Sequence, residues 1–357
     1  MPLFAFLDRV RHFATLARMP GPAVLTIPST ETALARVAGL PLVRRNVLAL
    51  ARGGAERVVV VSDDARIFAA LEGVPVPIDR SRSAPARATV IVPCDRVVGQ
   101  GAPCRTPAER KEAERLLLQG LRKSVDGPVS RWLNRPVSLA VTRLLLDTRV
   151  TPNQMTVVAT LVGVGGIAAV LSQTWTGVAA GAILVQLQSI LDGCDGEIAR
   201  IKFQASPFGA WLDNVLDDIV NAAFGLALGI ASATLLGNPL WRWLGVFSAV
   251  AFTIYYGVVY AQLAFVHRTG DPFAFRWWFQ TSADLGAELG AGGAGARIGS
   301  ALRSLARRDV FLLGFMILAL VRLPQVAVAW YAVLGAAYLA LSLVHLAKGG
   351  LKAETAP

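Results

Sequence analysis

Two apolar patterns divide this chain. Up to about residue 105, short β-branched runs alternate with helically spaced ones. AVLTIP (23–28), RVVVVSD (57–63) and ATVIVPCD (88–95) predict strands. Between the first two, GLPLVRRNVLALARGGA (39–55) repeats its apolar residues at helical spacing and ends in a Gly pair, which predicts a helix. Strand and helix in alternation predict a small α/β (Rossmann-like) layer with parallel strands. TPAERKEAERLLLQGLRK (106–123) opens with a Thr cap and Pro at the first helical position and predicts a charged linker helix.

Beyond residue 126 the pattern changes. Residues 127–148 set Trp132, Leu133, Val137, Leu139, Leu144 and Leu145 among Arg131, Arg135 and Arg143, as a helix lying in a membrane interface does. Long apolar stretches follow at 153–173, 175–199, 207–236, 239–266, 309–323 and 325–347. Each approaches the ~20 residues needed to cross a bilayer core, the fifth being the shortest. The chain therefore reads as an amphipathic segment (1–22), an α/β domain (23–105), a linker helix (106–126) and a membrane domain of six transmembrane helices (127–350). At the N-terminus the apolar residues precede the arginines, the reverse of a secretory signal, so that segment reads as a surface helix.

Composition agrees with this division. Hydrophobic residues make up 54% and charged residues only 17%, where a soluble domain carries about 25%; mean hydropathy is +0.52. The net charge of +11 raises nucleic acid as a partner. Neither zinc-finger spacing nor aromatic-basic interleaving supports it, and basic loops beside apolar spans face an anionic leaflet instead. The connections 172–176 and 236–241 are uncharged, and the turn after 323 has only Arg322 nearby. The opposite connections carry Arg200, Lys202, Arg268, Arg276, Arg297, Arg303, Arg307 and Arg308. By the positive-inside rule the termini and basic loops are cytoplasmic. Three cysteines at no metal-like spacing give no disulfide framework. His12, His267 and His345 are scattered and read as surface groups; Trp277 and Trp278 read as membrane anchors.

Acidic residues inside apolar spans are functional candidates. Asp192 and Asp195 lie three apart at the end of one span, and Asp213 and Asp217 four apart at the start of the next. Each pair shares a helix face, at similar depth. Such carboxylates repel unless cations lie between them, and oxygen ligands suit Mg2+, Mn2+ or Ca2+. Capping, or pairing with Arg200 and Lys202, would not need two carboxylates on each face. Glu197 and Asp218 fall off those faces and read as supporting or solvent groups. Cys194 reads as packing. Gly196, Ala199 and Gly209 clear space beside the aspartate faces, Arg200 is placed to bridge a diphosphate, and Ser206-Pro207 caps the third span. Lys202, Arg143 and Arg308 are candidate cations for a phosphorylated acceptor. A cation-conducting or transporting protein is the alternative, but a cation path has no use for Gly196, Ala199, Arg200 and Gly209 at fixed spacing.

That spacing, D-x-x-D-G-x-x-A-R-x8-G-x3-D-x3-D, resembles the signature of the CDP-alcohol phosphotransferase (CDP-alcohol phosphatidyltransferase) family, and every specified position is matched. The resemblance covers roughly residues 121–347 and includes TPNQMT (151–156). It implies metal-dependent transfer of a phosphoalcohol from a CDP-alcohol to a hydroxyl acceptor with release of CMP, in phospholipid or polyol-phosphate biosynthesis. It implies two divalent ions, Mg2+ or Mn2+, on Asp192, Asp195, Asp213 and Asp217, with Asp217 also the general base. Gly196, Ala199, Arg200, Ser206, Gly209, Asn153 and Thr156 are the implied CDP contacts. A multi-pass protein of a bacterial or archaeal-type membrane and a homodimer are implied too. KSVDGPVSRWLNRPVS (123–138) is similar to the branch that makes di-inositol phosphate phosphate. Residues 39–63 and VIVPCDRVV resemble the sugar-nucleotide cytidylyltransferase and nucleotidyltransferase family. However, PSTETALAR stands where that family has a Gly-rich phosphate loop, which implies a degenerate domain without a catalytic role for Asp95.

Overall fold

The computed structural model describes residues 22–83, 90–122, 126–267, 274–277 and 305–350. The predicted N-terminal surface helix up to residue 21, His12, Trp278 and most of the basic loop lie outside these.

Two compact units emerge. One holds the described residues up to 122 together with Thr142–Arg149 and Glu197–Gln204. Its centre is a four-stranded sheet of β1 (Pro22–Thr26), β4 (Arg57–Val61), β5 (Ile78–Ser81) and β6 (Val90–Pro93), in the order β5-β4-β1-β6. Every pair is parallel, with Val24 opposite Val59 and Ile91. Central β1 is buried from Ala23 to Leu25, which is why it reads as an unbroken apolar run rather than an alternation. Edge strand β5 has the sequence IDRS and no apolar run announces it.

Helices α1 (Thr30–Leu34), α2 (Leu42–Arg52) and α3 (Ala65–Ala70), with the small ladder β2 (Arg36–Val37) and β3 (Leu40–Pro41), complete this layer. Leu42, Val47 and Leu50 of α2 pack with Leu25, Val58, Val60 and Ile67 in its core. The PSTETALAR stretch forms α1, where the Ser29 hydroxyl accepts from Thr32 N at 3.4 Å. Helix α4 (Pro107–Gln119) begins where the Thr and Pro placed it, with Thr106 and Glu109 exchanging backbone bonds at 3.2 and 3.0 Å.

The other unit is helical. A π-helical turn (Ser130–Asn134) leads into α5 (Arg135–Leu145), followed by α6 (Pro152–Val170), α7 (Trp175–Ile201), α8 (Pro207–Leu236), α9 (Leu240–Ala261, extended by a π-helical turn to His267), α10 (Arg308–Leu320) and α11 (Pro324–Ala347). The last turns of α5 and α7 group with the α/β unit. Among the described residues, five helices, α6 to α9 and α11, are long and apolar enough to cross a membrane. The chain is an integral membrane protein. The predicted span 309–323 is instead a 13-residue helix, about 20 Å long at 1.5 Å per residue, against a hydrocarbon core of about 30 Å. It stops because Arg322 turns to φ 60° and Pro324 begins the next helix.

Helix α8 packs on α6, α9 and α11. Where α8 meets α9 the backbones nearly touch: a Cβ on Gly229 would lie 2.7 Å from the Gly245 Cα. Lipid drives no hydrophobic association, so such small-residue crossings supply the packing. His345, expected at the surface, is 1% exposed. On α11 it packs against Gln262, with ring and amide nitrogens 3.4 Å apart. Trp277 stacks on Tyr255 with centroids 6.1 Å apart.

Candidate active site

Ser206 starts α8 by accepting from Gly209 N at 3.0 Å, and this fixes the rotation of the helix. Asp213 and Asp217 then turn toward Asp192 of α7, and one carboxylate oxygen from each lies within 4.8 Å of the others. Asp195, one turn along α7, is 6% exposed. It accepts from the Thr156 hydroxyl at 2.5 Å and from Gly196 N, and also contacts Asp213. The four aspartates thus come together from two helices.

Their partners are few. Arg308, the first residue of α10, places its guanidinium on Asp217 and 3.5 Å from Asp192. The four carboxylates outnumber the guanidinium of Arg308 and leave excess negative charge beside it. Asp213 Oδ1 is buried and meets no hydrogen-bond donor among the described residues. A buried carboxylate oxygen without a partner is costly unless a cation neutralises it. Oxygen-only donors at this spacing fit hard divalent cations such as Mg2+ or Mn2+. A cation path is a poor fit, because Arg308 sits on two of the carboxylates.

Gln188, on α7, was not singled out in the sequence. It is fully buried and donates to Asp217 Oδ1 at 2.7 Å. Its signal was available: an amide in an apolar span, one turn before Asp192. The sequence marks Arg308 only as a candidate acceptor cation; its place on the aspartates comes from the fold.

The other expected contacts divide. Asn153 lies beside Gly209, where an added Cβ would approach its Oδ1 to 2.9 Å. The Thr156 hydroxyl donates to Asp195, and the Ser206 hydroxyl accepts from Gly209 N at its helix cap, so each keeps further hydrogen-bonding capacity. Ala199 and Arg200 belong to the last turns of α7, which group with the α/β unit. Glu197 is not a solvent group: it is fully buried and accepts from Thr142 at 2.7 Å. Asp218 accepts from the Tyr260 hydroxyl. Cys194 is buried, its thiol 3.4 Å from Ser138 O. Two of the three candidate acceptor cations are engaged elsewhere: Arg143 pairs with Glu114 at 3.4 Å, and the Lys202 ammonium donates to Leu145 O and Thr148 O.

Beside Asp192 lies a cavity of about 310 Å³, lined among others by Asn134, Arg135, Ser138, Arg307 and Arg308. Arg135 is fixed there by Asp126 at 3.0 Å, both side chains being nearly buried. Asp309 accepts from Ser130 N at 2.8 Å and so ties the π-helical turn to α10.

Residues 149–287, which hold all four aspartates, match the family described as CDP-alcohol phosphatidyltransferase. The chain carries a CDP-alcohol phosphatidyltransferase domain. A bifunctional IPC transferase and DIPP synthase of Thermococcus kodakarensis is 45% identical over 138 residues, 38% of this chain and 30% of that protein. One of the same name from Aquifex aeolicus is 42% identical over 142 residues, 39% and 32% of the two chains. A CDP-diacylglycerol--serine O-phosphatidyltransferase of Helicobacter pylori is 33% identical over 92 residues, 26% and 37%. The chain thus spans about a third of the length of these relatives.

In the α/β unit, Asp95 is engaged by Arg105 at 2.5 Å and Arg96 at 3.4 Å. Burial alone would raise its carboxyl, but the two guanidinium groups hold it below the usual carboxylate range.

Proposed function

We propose that the chain transfers a phosphoalcohol from a CDP-alcohol to a hydroxyl acceptor and releases CMP. The observation that carries this reading is the convergence of Asp192, Asp213 and Asp217 within 4.8 Å, with Asp213 Oδ1 left without a donor, beside an arginine-lined cavity.

Asp192, Asp195, Asp213 and Asp217 would hold two divalent cations, whose chemistry would be to offset charge on the donor diphosphate and on departing CMP. Gly196, Ala199 and Gly209 leave room for the CDP moiety. Asn153, Thr156, Arg200 and Ser206 offer it polar contacts. Asp217 accepts the proton of the attacking hydroxyl. The acceptor oxygen forms its bond to the β-phosphorus as the bond from that phosphorus to the bridging oxygen breaks, and CMP leaves with that electron pair. Gln188 and Arg308 hold Asp217 in place for this role.

The cavity favours a small, phosphorylated polyol as acceptor. Serine hydroxyls, Asn134 and the guanidinium groups of Arg135, Arg307 and Arg308 suit hydroxyls and a phosphate. The DIPP synthases among the relatives accord with such an acceptor. A helix shorter than the bilayer core crosses where the bilayer thins or flanking residues snorkel. We therefore further read α10 as the fifth of six membrane helices, the termini and site as cytoplasmic in a bacterial or archaeal-type membrane, and the functional unit as a homodimer. The α/β unit has given up nucleotidyl transfer, since Asp95 is spent on Arg105 and Arg96.

The test supplies purified protein with Mg2+, a panel of CDP-alcohols and polyol phosphates, and follows CMP. The wild-type chain should release CMP with at least one pair, and Asp217→Asn should abolish release while thermal unfolding stays unchanged. A variant as fast as wild type would remove Asp217 from the reaction.

A further inference from the structure

The last turn of α7 and the last turn of α5 are held by the α/β unit through bonds that the reaction does not use. Helix ends leave carbonyl groups without intrahelical partners, and a buried end must find donors elsewhere. At the end of α7 the donor is Arg45. This arginine of α2 is 2% exposed and makes three bonds to carbonyl oxygens: Val37 at 3.0 Å, Ala38 at 2.9 Å and Ile201 at 3.0 Å. Ile201 is the last residue of α7. A guanidinium at a helix C-terminus is also favoured by the helix dipole.

The surroundings reinforce the grip. Phe203 turns back with φ 57°, and the Arg52 guanidinium covers its ring at 4.6 Å from the centroid. Lys202 ties the end of α7 to that of α5 through Leu145 O at 3.2 Å and Thr148 O at 2.9 Å. From the sheet side, Gly39 sits against Leu146 O at φ +83°, where a Cβ would collide with that carbonyl. Burial pulls the Arg45 guanidinium down to about 10, so it remains charged at neutral pH.

We infer that Arg45 is a positioning residue for the phosphatidyltransferase domain: it fixes the end of α7 and, through that helix, the residues α7 presents to the CDP moiety. This rests on the reading that Gly196, Ala199 and Arg200 serve the donor. Those residues lie within two turns of Ile201, whereas the groups lining the acceptor cavity lie farther back on α7 or on other elements. Loss of Arg45 therefore acts on donor binding before it acts on acceptor binding. A displacement of about 1 Å in such sites can cost on the order of 100-fold in kcat/KM, and here the loss falls on donor KM because the shifted residues hold the donor rather than the reacting atoms. Lysine is no substitute, because one ammonium cannot reproduce the planar fork that serves three carbonyls.

The test compares Arg45→Met and Arg45→Lys with wild type in the full-length chain. It uses hydrogen exchange and steady-state CMP release at varied donor and varied acceptor. Exchange at 197–204 should rise at least about tenfold in both variants, while β1 and β4 keep their protection. Donor KM should rise at least about tenfold, with acceptor KM and kcat changed less than about threefold. Unchanged exchange at 197–204, or a loss confined to kcat, overturns the inference. So does a rise spread through the whole α/β unit in both variants, since Arg45 would then only stabilise that fold. If the wild-type chain releases no CMP from any donor, the proposed reaction fails, and the exchange pattern alone decides whether Arg45 holds the helix end.

Discussion

Gln188 of α7 donates its side-chain amide to Asp217 Oδ1 of α8 at 2.7 Å, a bond between two apolar helices in which the amide is fully buried and the aspartate nearly so. Such a bond in the membrane layer fixes which way the carboxylate faces. Groups that orient a metal ligand or a base contribute about 10- to 100-fold to affinity or activity when removed. Gln188→Leu should therefore lower kcat for CMP release by about 10- to 100-fold and leave donor KM near wild type. Steady-state kinetics decides it. A Leu variant with wild-type kcat would mean that Asp217 keeps its place without the amide.

Asp213 makes the proposed metal requirement measurable. Its Oδ1 is buried without a donor, so the charge there depends on a cation more than at Asp195, which already accepts from Thr156 and Gly196. Chelation should abolish CMP release, and Mg2+ or Mn2+ should restore it. Asp213→Asn should need at least about tenfold more Mg2+ for half-maximal rate. Mn2+ titration followed by electron paramagnetic resonance reads the same affinity without turnover. A chelator-insensitive wild-type enzyme would sink the metal assignment.

The proposed acceptor cavity depends on Arg135. Arg135 reaches it from the start of α5 with its guanidinium locked by Asp126 at 3.0 Å. A charge-assisted hydrogen bond is worth about 1.5–3 kcal/mol, so Arg135→Leu should raise KM for a phosphorylated polyol by about 10- to 150-fold. KM for the donor, and for the same polyol without phosphate, should change little. If the phosphorylated and free polyols lose affinity equally, the cavity does not read the phosphate.

The aspartates were legible because carboxylates in an apolar span stand out and helical spacing assigns their faces. The parallel sheet was legible because central strands buried on both sides read as apolar runs. What escaped had no such contrast. β5 is an edge strand whose IDRS sequence is held by backbone bonds to β4. Gln188 is one of two amides in α7, with Gln186, and only the packing of α8 shows which one meets Asp217. Arg45 sits beside Arg44 in a helix that reads as amphipathic. Yet Arg44 is only half-buried, while Arg45 is buried against Ile201 O. Neighbouring arginines in one helix point in different directions, and sequence does not say which direction is inside.

The buried thiols of the α/β unit tie its stability to pH. Burial pushes the Cys94 thiol up to about 12, against a weaker opposing bond from the Asn46 amide at 3.7 Å. Burial likewise raises Cys104 to about 11. In the unfolded chain both titrate near 8.5. The folded form therefore holds these protons more tightly, and the stability this contributes is intact below about pH 8 and lost as pH rises toward 11 to 12. Two outcomes are expected. Maleimide at pH 8 should leave Cys94 and Cys104 unmodified in the native chain and label both after denaturation, because the thiolate is the reacting form. The denaturation midpoint of the α/β unit should fall between pH 8.5 and 10.5, and the fall should be smaller in Cys94→Ala than in wild type. Rapid native labelling of Cys94, or identical pH slopes in the two proteins, would place that thiol in contact with solvent rather than under β1 and α2.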